Sequence, residues 1–67
     1  MTLADWLREA HKYYEAHPEQ RYGQALYNSL HQAGRLDICE AVVTTEADPF
    51  FENDRLPKFF EVVGRMW

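Results

Sequence analysis

The chain has 67 residues, a formal net charge of −4 and one cysteine. A single domain of this size buries only about 60% of its unfolded surface, and ordering costs about 1.5 kcal/mol per residue. The lone Cys39 excludes an internal disulfide, no Cys/His array has zinc-finger spacing, and the acidic balance argues against nucleic acid as a partner, because that affinity rests on Lys and Arg at phosphates.

The remaining resource for a core is aromatic bulk, in two Trp, four Tyr and four Phe. A homodimer is the other remedy for so short a chain. No apolar run is long enough to cross a bilayer, and no basic start is followed by an apolar signal segment. Together with the unpaired thiol, this predicts a cytoplasmic protein that does not enter membranes. No repeat or linker divides the chain, so residues 1–67 read as one small helical domain.

A first helix is predicted from Thr2, whose hydroxyl can accept from the Asp5 N–H. Leu3, Trp6, Leu7, Ala10 and Tyr14 share one stripe, with Tyr13 at its edge, and Asp5–Arg8 and Glu9–Lys12 form favourable i,i+3 pairs. His17 precedes Pro18, so the helix ends near Ala16. Pro18 can open the next helix, with Glu19 in its first turn. That second helix is the clearest element. Tyr22, Ala25, Leu26, Ser29, Leu30 and Ala33 line one face, and Gly34 follows where helices commonly end in a left-handed residue. Gly23 inside it loses up to about 1 kcal/mol relative to alanine, which a close approach of another backbone or a ring would offset.

Leu36, Ile38, Cys39, Val42 and Val43 predict a short third helix that frays near Thr44, although the run Val42-Val43-Thr44-Thr45 also has strand propensity. Asp48-Pro49-Phe50-Phe51 reads as a turn in which Asp48 caps backbone and both Phe rings face the core. Asn53-Asp54 starts a last helix, Leu56 to about Met66, with Pro57 in its first turn and Leu56, Phe59, Phe60, Val63 and Trp67 on one stripe. The fold class is therefore all-α, a compact bundle of three to four short helices, with the second packed between the first and the last.

The chemistry-bearing residues point away from catalysis. His11, His17 and His31 share no metal-ligand spacing; His11 is expected exposed and His31 half-buried. Cys39 falls on an apolar face, as a small hydrophobe. Asp37, Glu40, Glu46, Asp48, Glu52 and Asp54 follow one another with no Lys or Arg between. They read as a solvated face or as a surface that docks a basic patch. As a cation loop they lack the EF-hand glycine and spacing. Arg21 opens the second helix, where a cation is unfavourable without an anion, so it is expected to pair with Asp48 or Asp54.

Arg21-Tyr-Gly-Gln-Ala-Leu-Tyr-Asn28, then Thr45-Glu-Ala-Asp48-Pro-Phe-Phe51, then a Leu-Pro-x-Phe-Phe helix, resembles a group of very small proteins of bacteriophages and prophage-bearing bacteria with an RxGQxxxNxL … TxxDPF pattern. The resemblance spans residues 21–60. That group has no assigned activity, so no catalytic residue transfers. It implies an accessory protein of a mobile element that binds a host or phage protein. It also implies that Arg21, Asn28 and Asp48 form a polar scaffold holding the second helix to the loop, with Gly23 as a packing point.

The expected function is a non-enzymatic protein-interaction module without cofactor or metal. Its partner would be a bacterial or phage protein, met through Glu46, Asp48, Glu52, Asp54 and Trp67, with Trp6, Tyr13 and Tyr27 as further aromatic anchors. A small structural or assembly oligomer is the alternative. A DNA-binding regulator is a weaker one, because its would-be recognition helix carries Asp37 and Glu40 and no base.

Overall fold

The computed structural model describes residues 1–50 and 53–67. They form an all-α bundle of four helices: α1 (Leu3–Ala16), α2 (Tyr22–Gln32), α3 (Leu36–Val42) and α4 (Leu56–Met66), the last entered through one 3-10 turn, Asn53–Arg55. The N-terminus of α1 closes as a capping box. The Thr2 hydroxyl accepts from the Asp5 N–H, and the Asp5 carboxylate accepts from the Thr2 N–H, both at 3.1 Å. Asp5 also pairs with Arg8, and Glu9 lies 3.6 Å from Lys12. The Thr2 amide holds the Asp5 carboxyl below its ordinary value, with Arg8 contributing less.

α1 ends at Ala16, ahead of the His17-Pro18 step, as expected. The next helix does not open at Pro18. Residues 18–20 make a turn closed by the Gln20 N–H on the His17 carbonyl at 3.0 Å, and Arg21 is extended. Helix begins only at Tyr22, where the apolar periodicity begins. Glu19 therefore stands outside the helix. At the far end Gly34 takes a φ of +78°, the Arg35 N–H reaches back to the Leu30 carbonyl and the Gly34 N–H to that of His31. This pair of bonds is a Schellman motif.

The tight turn sets α3 directly against α2, and packing then proceeds in chain order: α1 on α2, α2 on α3, α3 on α4. The second helix thus lies between α1 and α3 rather than between α1 and α4. α3 and α4 run antiparallel, since Arg35 before α3 meets the end of α4 at the Met66 carbonyl, whereas Thr45 and Glu46 after α3 meet Arg55 and Lys58. One core unites all four helices through Trp6, Leu26, Leu30, Ile38, Val42, Phe59 and Val63.

Trp6, on the apolar stripe expected of the first helix and a candidate surface aromatic as well, is the largest fully buried side chain. Its ring lies 6.4 Å from Phe59 and 5.8 Å from Trp67. Its indole N–H has no partner among the described residues, a burial that costs about 1–3 kcal/mol. The area that the ring removes from water offsets this. Tyr14 is the more exposed of the α1 tyrosines and meets the Tyr22 ring edge-on, while Tyr13 is half-buried.

Candidate functional site

Two surfaces carry polar or unpartnered groups: a groove between α1 and α2, and the outer side of α3 with the loop that follows it. The groove has a volume of about 400 Å³ and is lined by Tyr13, Asn28, His31 and Gln32. Tyr13 stacks on His17 at 4.1 Å, and the His17 Nδ1 lies 2.8 Å from the Tyr13 carbonyl. A carbonyl only accepts, so the proton is on Nδ1. The Asn28 amide is engaged as well, donating to the Gln20 side chain at 3.3 Å. His31, expected half-buried, is exposed, because α2 turns that side away from Leu30. His11 is exposed, as expected, and its ring lies 5.9 Å from that of Tyr22. Each histidine thus has its own neighbours. Among the described residues no group of three or more His, Cys, Asp or Glu is arranged to hold a metal ion.

The loop after α3 is organised by Asp48. One carboxylate oxygen accepts from the Thr44 N–H at 2.9 Å and the other from the Phe50 N–H at 3.0 Å. Thr45 adds two bonds, its hydroxyl donating to the Val42 carbonyl at 2.6 Å and accepting from the Ala47 N–H at 3.1 Å. With 9% of its surface exposed, Asp48 leaves the expected partner-binding face. Its acceptors are spent on its own loop. The turn it builds presses Pro49 against α2. A Cβ on Gly23 would strike the Pro49 carbonyl oxygen and stand 3.0 Å from the Pro49 Cβ. The expected packing point at Gly23 is therefore real, and its partner is backbone. Phe50 adds an edge contact to Tyr27 at 5.7 Å; Phe51 and Glu52 lie outside the described residues.

The polar scaffold expected of Arg21, Asn28 and Asp48 does not form. Arg21 is exposed and pairs with neither Asp48 nor Asp54 among the described residues. Asn28 bonds back to Gln20, and Asp48 bonds within its loop. What joins α2 to the loop is the Gly23–Pro49 contact and the Tyr27–Phe50 rings.

On the outer side of α3 the acidic run is mostly in water. Asp37, Glu40, Glu46 and Asp54 are exposed. Arg35 grips both carboxylate oxygens of Asp37 at 3.3 Å and holds its carboxyl below the usual range, and Lys58 stands 3.7 Å from Glu46. Glu40 has no cation beside it among the described residues. Trp67, expected at the contact surface, is half-buried on Trp6; its indole N–H donates to the Met1 carbonyl at 3.3 Å, and the Arg35 guanidinium lies 4.5 Å over its ring. Cys39 is buried among α3's core residues, and burial first, then the Asp37 charge, pushes its thiol up. That is the opposite of an activated nucleophile.

Compared with known protein families, curated proteins and solved structures, the chain matches none. Two residues of this surface escape a reading of the sequence. Leu36 and Val43 count there as part of an apolar face, yet they are 49% and 39% exposed. The face that packs is Ile38, Cys39 and Val42. The signal was their spacing, since Leu36, Glu40 and Val43 follow i, i+4, i+7 on a stripe offset from the buried one.

Proposed function

We propose that the chain is a non-enzymatic protein-interaction module of phage or prophage type, which binds and modulates a bacterial or phage protein through its acidic side. One observation carries this reading: the carboxylates Glu40, Glu46 and Asp54 are exposed, and Glu40 stands between Leu36 and Val43, large apolar side chains that the bundle leaves uncovered. A basic partner surface would meet both features, with charge setting encounter and register and the apolar groups supplying area. The Glu46–Lys58 pair is no obstacle, because exposed ion pairs contribute about 0–1 kcal/mol and exchange readily.

The test is capture of partners from bacterial lysate by the tagged chain, at low and high salt and after nuclease treatment. The comparison is with a variant carrying Glu40→Gln, Glu46→Gln and Asp54→Asn. One stoichiometric protein, lost at high salt and lost with the variant, is the expected result. A partner indifferent to both changes would refute the acidic docking surface. Nuclease-sensitive nucleic acid in the eluate would replace the reading with a regulator. A self-associated mass without a foreign protein would replace it with a structural oligomer.

A further inference from the structure

Resting on that reading, we infer that the contact is made by the outer face of α3, with Leu36 and Val43 as apolar anchors on either side of Glu40. The partner it fits is a protein groove with two apolar pockets and a Lys or Arg between them. α3 is held to the bundle by Ile38, Cys39 and Val42, all buried. The stripe offset from that face carries Leu36, Glu40 and, at the C-cap just past the helix, Val43, a span of about 10 Å. Anchors at i, i+4 and i+7 are the pattern by which a helix lies in a groove. Leu36 is the most exposed large apolar side chain within the helices, at 49%. It stands at the first position of α3, where a polar residue would serve the helix as well.

Charge decides between occupants. A second copy of the chain would have to meet this face about a two-fold axis near its middle, where each residue faces its counterpart or a neighbour. Glu40 would then confront Glu40 of the other copy, with Asp37 close by, and like charges there disfavour association. Asp37 already has Arg35, and Glu46 has Lys58. Glu40 has no such cation among the described residues, and it sits between the two anchors. A partner's Lys or Arg would neutralise it while its apolar pockets cover Leu36 and Val43.

Site-specific photocrosslinking tests this. A benzophenone amino acid is substituted in turn at Leu36, Val43, Glu46 and Lys12, and each chain is irradiated in bacterial lysate. The crosslinked peptides are then identified by mass spectrometry. One foreign protein joined from positions 36 and 43 but not 12 is expected. It should be lost when Glu40→Lys is added, and the captured peptide should contain Lys or Arg. An unchanged melting transition shows that the Glu40→Lys chain is folded. A foreign protein joined from position 46 alone, or one retained with Glu40→Lys, would overturn this inference and leave the acidic module standing. So would a captured peptide without a basic residue. Crosslinks only to a second copy would overturn it in favour of self-association. No foreign protein from any position would overturn both.

Discussion

At its first turn α2 is crossed by the backbone of another segment, and just past its last turn it faces open space. Gly23 meets the Pro49 carbonyl closely enough that no side chain fits, whereas nothing lies within 4 Å of a Cβ built on Gly34. Gly34 is needed for its φ of +78° and Gly23 for its volume. Two glycines bounding one helix thus answer to different physics. One is a local backbone requirement visible in any isolated peptide, and the other exists only once the chain has folded. Thr44 extends the contrast, for it too has a left-handed backbone, at φ 60°, but it is β-branched. There the Asp48 carboxylate, accepting the Thr44 N–H, sustains a conformation that the residue itself disfavours.

The sharpest way to break the contrast is Gly23→Ala. Helix propensity alone predicts a gain of up to about 1 kcal/mol. Overpacking against a carbonyl that cannot rotate away predicts a loss of about 1–3 kcal/mol. Because the added Cβ would strike a backbone atom, the overpacking falls at the upper end of that range, and the expected net is a loss of about 2 kcal/mol, read by urea denaturation. Asp48→Ala frees the loop that presses Pro49 on α2, so the double variant should be less destabilised than the sum of the two singles. An additive result would mean that the Pro49 approach does not depend on Asp48.

Gly34→Ala comes next, with an expected loss of about 1 kcal/mol from the left-handed backbone alone. In a domain of this size that lowers Tm by about 4–8 °C. Unlike Gly23→Ala, it should show no coupling to Asp48→Ala. Thr44→Gly should run the other way. Relief of the left-handed strain exceeds the added chain entropy of glycine by about 0.5 kcal/mol, so a rise in Tm is expected. A fall would show that the Thr44 side chain contributes to the loop in ways its exposure does not suggest.

The smallest effect is one of pH. Asp5 and Asp37 have carboxyls held below their ordinary value of 3.8, the first mainly by the Thr2 amide and the second mainly by Arg35. A depressed carboxyl contributes stability that is fully present above its unfolded value and lost as pH falls through the folded one. The gap in Tm between the native chain and Asp5→Asn should therefore stay constant from neutral pH to about 5 and close below 3.8. A gap that persists in acid would mean that the capping box is held by Thr2 alone.

The glycines also show what was legible beforehand. Thr2 with Asp5, the His17-Pro18 stop, and Gly34 after an apolar stripe are local signals, and the ends they predict are the ends found. The start of α2 was misread because Pro18 is compatible with a first helical turn, yet no apolar periodicity begins before Tyr22. Asp48 caps the backbone of its turn as expected, but it was also set on the docking surface because a run of carboxylates resembles a solvated face. Its two amide donors, Thr44 and Phe50, become neighbours only when Thr44 turns left-handed, and no residue type announces that in a threonine. Arg21 was given a carboxylate by charge logic alone. The proposed anchors Leu36 and Val43 were hidden for the opposite reason, since apolar residues in a short helix are assigned to the core unless their angular position is worked out against Ile38 and Val42.

Trp67 lies on Trp6, beneath the Arg35 guanidinium and within reach of the Met1 carbonyl. The most extensive helix contacts join neighbours in the sequence, the kind of topology that assembles in microseconds to milliseconds. The contacts of Trp6 with Phe59 and Trp67 are the exceptions, joining the two ends of the chain, and loops that long carry the greatest entropic penalty. These contacts are therefore expected to form last in folding and to be lost first in unfolding. Because Trp6 and Trp67 are the chain's two indoles, its intrinsic fluorescence is a clock for that closing step.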